Sequence, residues 1–369
     1  MDKAGAIEAV KFLQALVELS EVDILLATFI PAFREYSVLK DDGVYYLHGG
    51  FNLGGTKTGR LSSSKPNLTS IPSGSVHAKL IKECFISTAD WLFCGADFNS
   101  LEDMISALTT KDKNKLKVYT DGYDGHCLRA YSYFRDQLPD IVDTVASINS
   151  IKTKYPQIRQ DSKTPTFALT YSGTWHTLVK NLGMTKEKAQ DVEANYHTLY
   201  VESDEYIQGE LHQACKDGYI TGAFGLRLRT PMLSKVMLGT SKTPYEAEAE
   251  ARTAGNMKGQ SYCMLNNRAG IEMLKRILAS PYRYDIKPNI HIHDAQYFLV
   301  RPDIEVVTWF NKNLVECMQW QDLPELQHPT VRLGGATDIF YPNWSCSTTL
   351  PNNASGEAIE ALFYEEIHE

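Results

Sequence analysis

Nowhere in its 369 residues does the chain hold a run of about 18–20 apolar residues, the length a bilayer span requires. Its N-terminus, Met1-Asp2-Lys3-Ala4-Gly5, lacks the basic stretch and apolar run of a secretory signal. The seven cysteines, at 84, 94, 127, 215, 263, 317 and 346, form no Cys-x-x-Cys pair and show no framework spacing. That excludes a zinc ribbon and predicts free thiols in a reducing compartment. Internal repeats and low-complexity linkers are missing too. So is a basic excess: 45 acidic residues face 37 basic ones, a net charge of −8. Taken alone, this balance speaks against nucleic-acid binding. Residues 357–369, however, carry five glutamates and no Lys or Arg, so −5 lies in the tail and −3 in the rest. A basic groove is compatible with that remainder. Hydrophobic residues make up 43%, enough for a core. The expectation is a soluble cytoplasmic chain with no membrane partner, of two or three domains or one composite domain.

Apolar residues Ile7, Val10, Leu13 and Leu16/Val17 recur on one helical face, and Ser20 with Asp23 reads as the cap of a second helix ending near Pro31. An αα-hairpin is predicted. Residues 43–53 read as a strand or hairpin, and the polar stretch from Gly54 to Ser75 as a loop. Residues 91–98 (WLFCGADF) have the pattern of a buried strand at its end, and 101–110 reads as helix. Helical periodicity dominates from 125 to about 220. A hairpin at 219–230, a long helix over 246–279 and two β-rich runs over 289–300, hinged at His293-Asp294, follow. The class is α+β.

Two carboxylates, Asp97 and Asp294, sit at the end or bend of presumed buried strands. Each is either a turn or capping residue, or half of a cation site for a hard metal such as Mg²⁺. Arg159, Lys163, Phe167 and Tyr171 recur every four residues, a slowly winding stripe on one helical face. It is either a core face with two solvated cations, or a grip for a triphosphate with a base stacked beside it. The loop TKTGRLSSS at 56–64 is equally a solvated surface or a phosphate-backbone contact. It is not a P-loop: Gly50 and Gly55 have the right gap, but Thr56 stands where the lysine belongs. His291-x-His293-Asp294 invites a zinc reading that no further ligand cluster supports.

In order, these segments resemble the family-A DNA polymerases, the group of bacterial DNA polymerase I and many tailed-phage replicases. The likeness covers about residues 43–300, with weaker similarity in the N-terminal helices and near Val331–Gly335. Thr58-Gly59-Arg60-Leu61-Ser62-Ser63-Ser64, with Pro66-Asn67-Leu68 and Ile71-Pro72, is similar to the primer–template loop. Asp97-Phe98-Asn99-Ser100-Leu101-Glu102 resembles motif A. Arg159, Lys163, Phe167 and Tyr171 resemble motif B, in a helix of about 158–173, and His293-Asp294 resembles motif C, in a hairpin of about 289–300.

The resemblance implies a right-hand architecture: an antiparallel palm sheet, an inserted helical fingers subdomain and a largely absent thumb. Expected divisions are a thumb remnant or docking segment at 1–40, palm at 41–110, fingers at 111–223, palm again at 224–335, and an extension with an acidic tail at 336–369. It implies two Mg²⁺ ions on Asp97, Asp294 and the Phe98 backbone carbonyl. Lys163, counted among the catalytic residues, would grip the triphosphate with Arg159, helped by His126. Phe167 would pack on the incoming nucleotide and Tyr171 close the template side. Glu102 would exclude a ribose 2′-hydroxyl, making the substrates dNTPs. Arg60, Gln260 and His293 would read the minor groove, with Ser62, Ser63, Asn67, Arg227 and Arg229 as further contacts to primer–template DNA. The implied activity is template-directed DNA synthesis in phage-type replication, within a bacterial host cytoplasm. The chain would be either a minimal enzyme or the C-terminal part of a split polymerase whose N-terminal thumb/exonuclease polypeptide is a separate partner. The apolar faces of residues 7–30 would then dock that partner, and otherwise pack against the palm. A single-subunit RNA polymerase and a non-catalytic DNA-binding subunit are the competing readings. Three residues depart from the family pattern: Ala295 replaces a carboxylate, Ser172 a glycine, and Pro165 lies inside motif B, where it should bend the helix.

Overall fold

The computed structural model describes residues 3–72, 76–236, 238 and 243–366. Helix α1 (Lys3–Ile24) runs through a π-helical turn, Leu25–Phe29, into α2 (Ile30–Tyr36). Four short strands follow, β1 (Ser37–Leu39), β2 (Tyr45–Leu47), β3 (Gly50–Asn52) and β4 (Ser62–Ser64), then β5 (Leu92–Phe98). A helical stretch includes α3 (Leu101–Thr110), α4 (Gly125–Tyr133), α5 (Pro156–Asp161) and α6 (Lys163–Thr170). Hairpin β6 (Tyr219–Thr221)–β7 (Arg227–Arg229) precedes α7 (Tyr245–Gln260) and α8 (Met264–Ala279). Hairpin β8 (Ile286–Ile292)–β9 (Ala295–Val300), α9 (Ile304–Met318), β10 (Gly335–Phe340), β11 (Ser347–Leu350) and α10 (Gly356–Glu366) complete the order. The class is α+β, as expected.

Two compact units divide the chain. The first comprises Met1–Asn99, Leu265–Gln319 and Gly334–Glu369. At its centre lies a five-stranded sheet in the order β11-β10-β5-β9-β8, antiparallel at every pairing. Strand alternation sorts the side chains. Phe93 and Tyr297 meet Trp344 on one face and Phe340 packs on both of them, with Phe93–Phe340 centroids 5.3 Å apart. On the other, Phe298 packs edge-on against Phe310 of α9, centroids 5.1 Å apart. At edge strand β8, Lys287 and Pro288 are exposed and a bulge interrupts the pairing between Pro288 and Ile290. The second unit, Ser100–Met264 with Trp320–Leu333, is helical apart from the β6–β7 hairpin. Its core forms separate apolar clusters, one around Leu169, Leu178 and Tyr200, another around Leu138, Ile141 and Ile148.

Several expectations are corrected. The αα-hairpin does not form: Ser20 continues α1, because nothing between Gly5 and Pro31 interrupts the backbone. The π turn falls just before Pro31, which has no N–H to offer Ala27. Residues 43–53 are not one hairpin, since β2 pairs with β1 and β3 with β4. The polar stretch is partly strand; its residues 73–75 lie outside the described residues. The long helix breaks at Ser261–Cys263, where the Ser261 hydroxyl turns to the Ala223 N–H, 2.8 Å away. The units change over at Ser100 and Leu265, not at 110/111 and 223/224, because α3 buries Leu101, Met104, Ile105 and Leu108 and α7 shares a cluster with Ile220 and Leu233. Finally, β10 lies between β5 and β11, so residues 336–350 are sheet rather than an extension beyond it.

Candidate active site

In the first unit, β5 buries every residue except Asp97, next to its end. The register pairs Asp97 with Ala295, the residue after Asp294, so the two aspartates meet at one end of the central strands. Asp97 is exposed and Asp294 half-buried. The Asp97 carboxyl is pushed up to about 6: first by lost hydration, then by the Asp294 charge and, more weakly, Asp338 on β10, with the Phe98 N–H pulling it back. A carboxylate whose ionisation a neighbouring carboxylate disfavours, as here Asp97, belongs to a donor set a cation relieves. Their hard oxygens suit Mg²⁺. Among the described residues no group of three or more His, Cys, Asp or Glu is disposed to hold a metal, so the fit rests on this pair with backbone oxygen.

His293 and Asp294 form the two-residue turn of the β8–β9 hairpin, with His293 at φ 55°. His293 is exposed. The loop expected to contact primer–template, residues 58–72, spends much of its polarity on itself. Ser63 Oγ donates to the Pro66 carbonyl at 3.2 Å and accepts from the Leu68 N–H at 3.2 Å. Asn67 caps the turn after it, accepting from the Thr69 N–H and donating to Ser70 Oγ at 2.7 Å. Ser62 lies on β4, and Arg60 is half-buried just before it.

In the second unit, the expected motif B helix is interrupted. Arg159 lies on α5, Lys163 opens α6, Phe167 follows on α6 and Tyr171 is its C-terminal cap. Pro165 has no N–H for the Asp161 carbonyl, and the break falls at Ser162. Gly173 N–H bonds the Ala168 carbonyl and Ser172 N–H that of Leu169, the pattern of a Schellman cap with Ser172 left-handed at φ 61°. The motif B serine thus takes the glycine conformation itself.

Arg159 forks onto Asp124, with Nη2–Oδ2 at 2.8 Å. Asp124 also caps α4 by accepting from the His126 and Cys127 N–H groups, each at 3.0 Å. Burial pushes the Asp124 carboxyl up, but the guanidinium and these N–H groups outweigh it and hold it below the usual range. His126 is lowered to about 4 by burial and by the Arg129, Arg159 and Lys163 cations. It is therefore neutral at pH 7, and its buried Nδ1 has no protein partner. The Tyr171 hydroxyl donates to Glu102 on α3. Phe167 stands 56% exposed, too much for a core residue. Behind these, buried Arg129 pairs with Asp103 and donates to the Tyr200 hydroxyl at 2.8 Å. Arg227 and Arg229 are exposed on β7, the former over the Tyr219 ring at 4.5 Å, and Gln260 ends α7.

The fold thus brings Asp97 and Asp294 together in one unit, and in the other it makes two bonded sets, Arg159 with Asp124 and the His126 N–H, and Glu102 with Tyr171. Sequence reasoning missed Asp124, Asp103 and Arg129. Asp124 had a local signal, since an Asp two residues before His126 is an N-cap pattern. The other two work through partners distant in sequence.

A family model described as DNA polymerase family A matches residues 4–336. The chain is 29% identical over 260 residues to a thermostable DNA polymerase I of Thermus filiformis, covering 69% of this chain and 29% of that protein. With DNA polymerase I of Bacillus subtilis it shares 24% identity over 312 residues, 84% of this chain and 33% of the relative. It therefore spans about a third or less of these relatives' length. Among solved structures it shares its fold with the POL domain of Pol1 from M. smegmatis, solved in complex with a DNA primer-template and dNTP. The TM-score is 0.75 at 22% identity, over 94% of this chain and 57% of that one.

Proposed function

The chain belongs to DNA polymerase family A, and from that membership we propose that it extends a DNA primer by template-directed addition of deoxynucleotides. One observation carries the reading: Asp97 and Asp294, remote in sequence, meet through the β5–β9 register, and Asp97 is pushed up to about 6. Asp97, Asp294 and the Phe98 carbonyl would hold two Mg²⁺ ions, which when bound would supply Lewis-acid chemistry for phosphoryl transfer. This chain's own side chains do the rest. Lys163 and Arg159 bind the triphosphate, and neutral His126 offers a hydrogen bond rather than a charge. Phe167, exposed on α6, packs on the incoming sugar and base. Glu102, bonded to Tyr171, stands against a ribose 2′-hydroxyl, which favours the deoxynucleotide reading over a ribonucleotide one. Arg60, Ser62, Ser63, Asn67, His293, Gln260, Arg227 and Arg229 contact the primer–template duplex.

The finer reading is a palm and fingers working with a separate N-terminal thumb/exonuclease polypeptide, in phage-type replication in a bacterial cytoplasm. Exposed Ile7, Val10, Leu13 and Val17 on α1 support such a docking surface. No helix among the described residues is long and apolar enough to cross a membrane. The test is extension of a labelled primer–template with Mg²⁺ and dNTPs by the wild type and by Asp294→Ala. Extension by the wild type, falling about a thousandfold or more in the variant, is expected. Equal rates would remove the aspartates from the chemistry.

A further inference from the structure

We propose that Asn266 and Gln296 form a buried amide clamp that positions Asp294 for metal, a role resting on the reading of Asp294 as a metal ligand. The turn it acts on is demanding. His293 occupies left-handed backbone at φ 55°, a conformation glycine takes readily and a side-chain-bearing residue does not. Asn266, fully buried on α8, donates its Nδ2 to the carbonyls of His293 at 3.2 Å and Ala295 at 3.1 Å. These are the two residues flanking Asp294, so one amide grips the backbone on both sides of the carboxylate. The tie is returned: Gln296, also fully buried, donates Nε2 to the Asn266 carbonyl at 3.1 Å. One turn further along α8, Gly270 lets the helix sit directly on the hairpin. A Cβ there would lie 2.2 Å from His291 Cε1 and 3.1 Å from Gln296 Oε1.

The clamp is held at a cost. Asn266 Oδ1 and Gln296 Oε1 are both buried without a protein partner. An unpaired buried amide oxygen is destabilising, and each amide offsets that only through the bonds its N–H group donates. Those bonds fall on the backbone at either side of a carboxylate, and metal affinity depends on groups that orient the ligands as well as on the ligands.

The experiment compares Asn266→Leu, Gln296→Leu and Asp294→Ala with the wild type, all bound to primer–template DNA. Mn²⁺ affinity is read by electron paramagnetic resonance, Tm by thermal melting, and the Mg²⁺ and dNTP dependence of extension by kinetics. Asn266→Leu is expected to weaken Mn²⁺ binding and raise the Mg²⁺ needed for half-maximal rate about tenfold. Its Tm should fall modestly, because the His293 and Ala295 carbonyls lose their donor, and its KM for dNTP should change less than about twofold. Gln296→Leu should do the same more mildly, and it keeps the test alive if the first variant fails to fold. A merely structural amide would lower Tm by the same route and leave Mn²⁺ affinity unchanged, which overturns the clamp. If Asp294→Ala loses Mn²⁺ while both leucine variants match the wild type, the clamp falls and the metal reading stands. If Asp294→Ala binds Mn²⁺ as the wild type does, the metal reading falls and the clamp with it.

Discussion

The two units hold their functional side chains by different means. In the first, the turn carrying Asp294 is fixed by neutral amide bonds to backbone in a dry interior, bonds that an incoming ion or nucleotide does not compete for. In the second, the cation Arg159 rests on the carboxylate Asp124, and Tyr171 rests on Glu102. On the proposed reading, those are bonds a triphosphate or a template base would replace. The difference in bonding would suit a fixed pair of metal-holding oxygens in the one unit and a nucleotide that binds and releases in the other.

The contrast can be broken hardest at Arg129. Removing this buried cation leaves Asp103 and the Tyr200 hydroxyl without their partner. Arg129→Ala should destabilise the second unit by about 3 kcal/mol, the low end for a buried pair because Asp103 keeps some contact with water. Chemical denaturation measures it, and a loss under ~1 kcal/mol would mean the pair is ornamental.

Arg159→Ala tests the exchangeable side. It should raise KM for dNTP about 10–100-fold with a smaller change in Tm, as loss of a charge-assisted bond to phosphate predicts. Unchanged KM would place Arg159 in the service of Asp124 alone.

A pH titration probes the fixed side. Asp97 binds its proton more tightly in the fold than its ordinary value of 3.8. Between about pH 4 and 6 the folded state therefore holds more protons than the unfolded one. Its contribution to metal-free stability is present at low pH and lost as pH rises through about 6. Divalent-ion binding runs the opposite way. Mn²⁺ affinity should fall as pH drops below about 6, and in metal-free Asp294→Ala the pH at which the Asp97 contribution to stability is lost should move downward. A flat profile between pH 5 and 7 would contradict the coupling.

The smallest effect belongs to Ser172, left-handed at φ 61° where glycine is at ease. Ser172→Gly should stabilise the protein by about 0.5–1 kcal/mol, seen as a higher Tm at unchanged dNTP affinity. A lower Tm would show that the serine side chain is worth more than its strain.

Much of this was legible in the chain. WLFCGADF announces a buried strand ending in an acid, Leu101–Thr110 forms where its periodicity says, and the order of short motifs marks the family. What stayed hidden depends on partners far along the chain. Asn266 reads as one polar residue on a helix until the hairpin comes within reach some 27 positions later. Arg129 is indistinguishable from a surface arginine until Asp103 and Tyr200 close around it. Strand β10 gave no sign that it would insert next to β5, since pairing order is not written in either segment. At the N-terminus the failure was local: a serine with cap spacing lost to a backbone with nothing else to stop it.

Edge strand β8 has a consequence for how the molecule behaves among its copies. An open β-edge recruits further strands, and sheets that grow in this way become aggregates. Here the rim carries a residue that cannot donate, a kink in the ladder and an exposed lysine: Pro288, the bulge beside it, and Lys287. The hairpin that presents Asp294 is thereby closed to uninvited strands on its outer side. The sheet is discouraged from growing past β8, the strand that leads into the Asp294 turn.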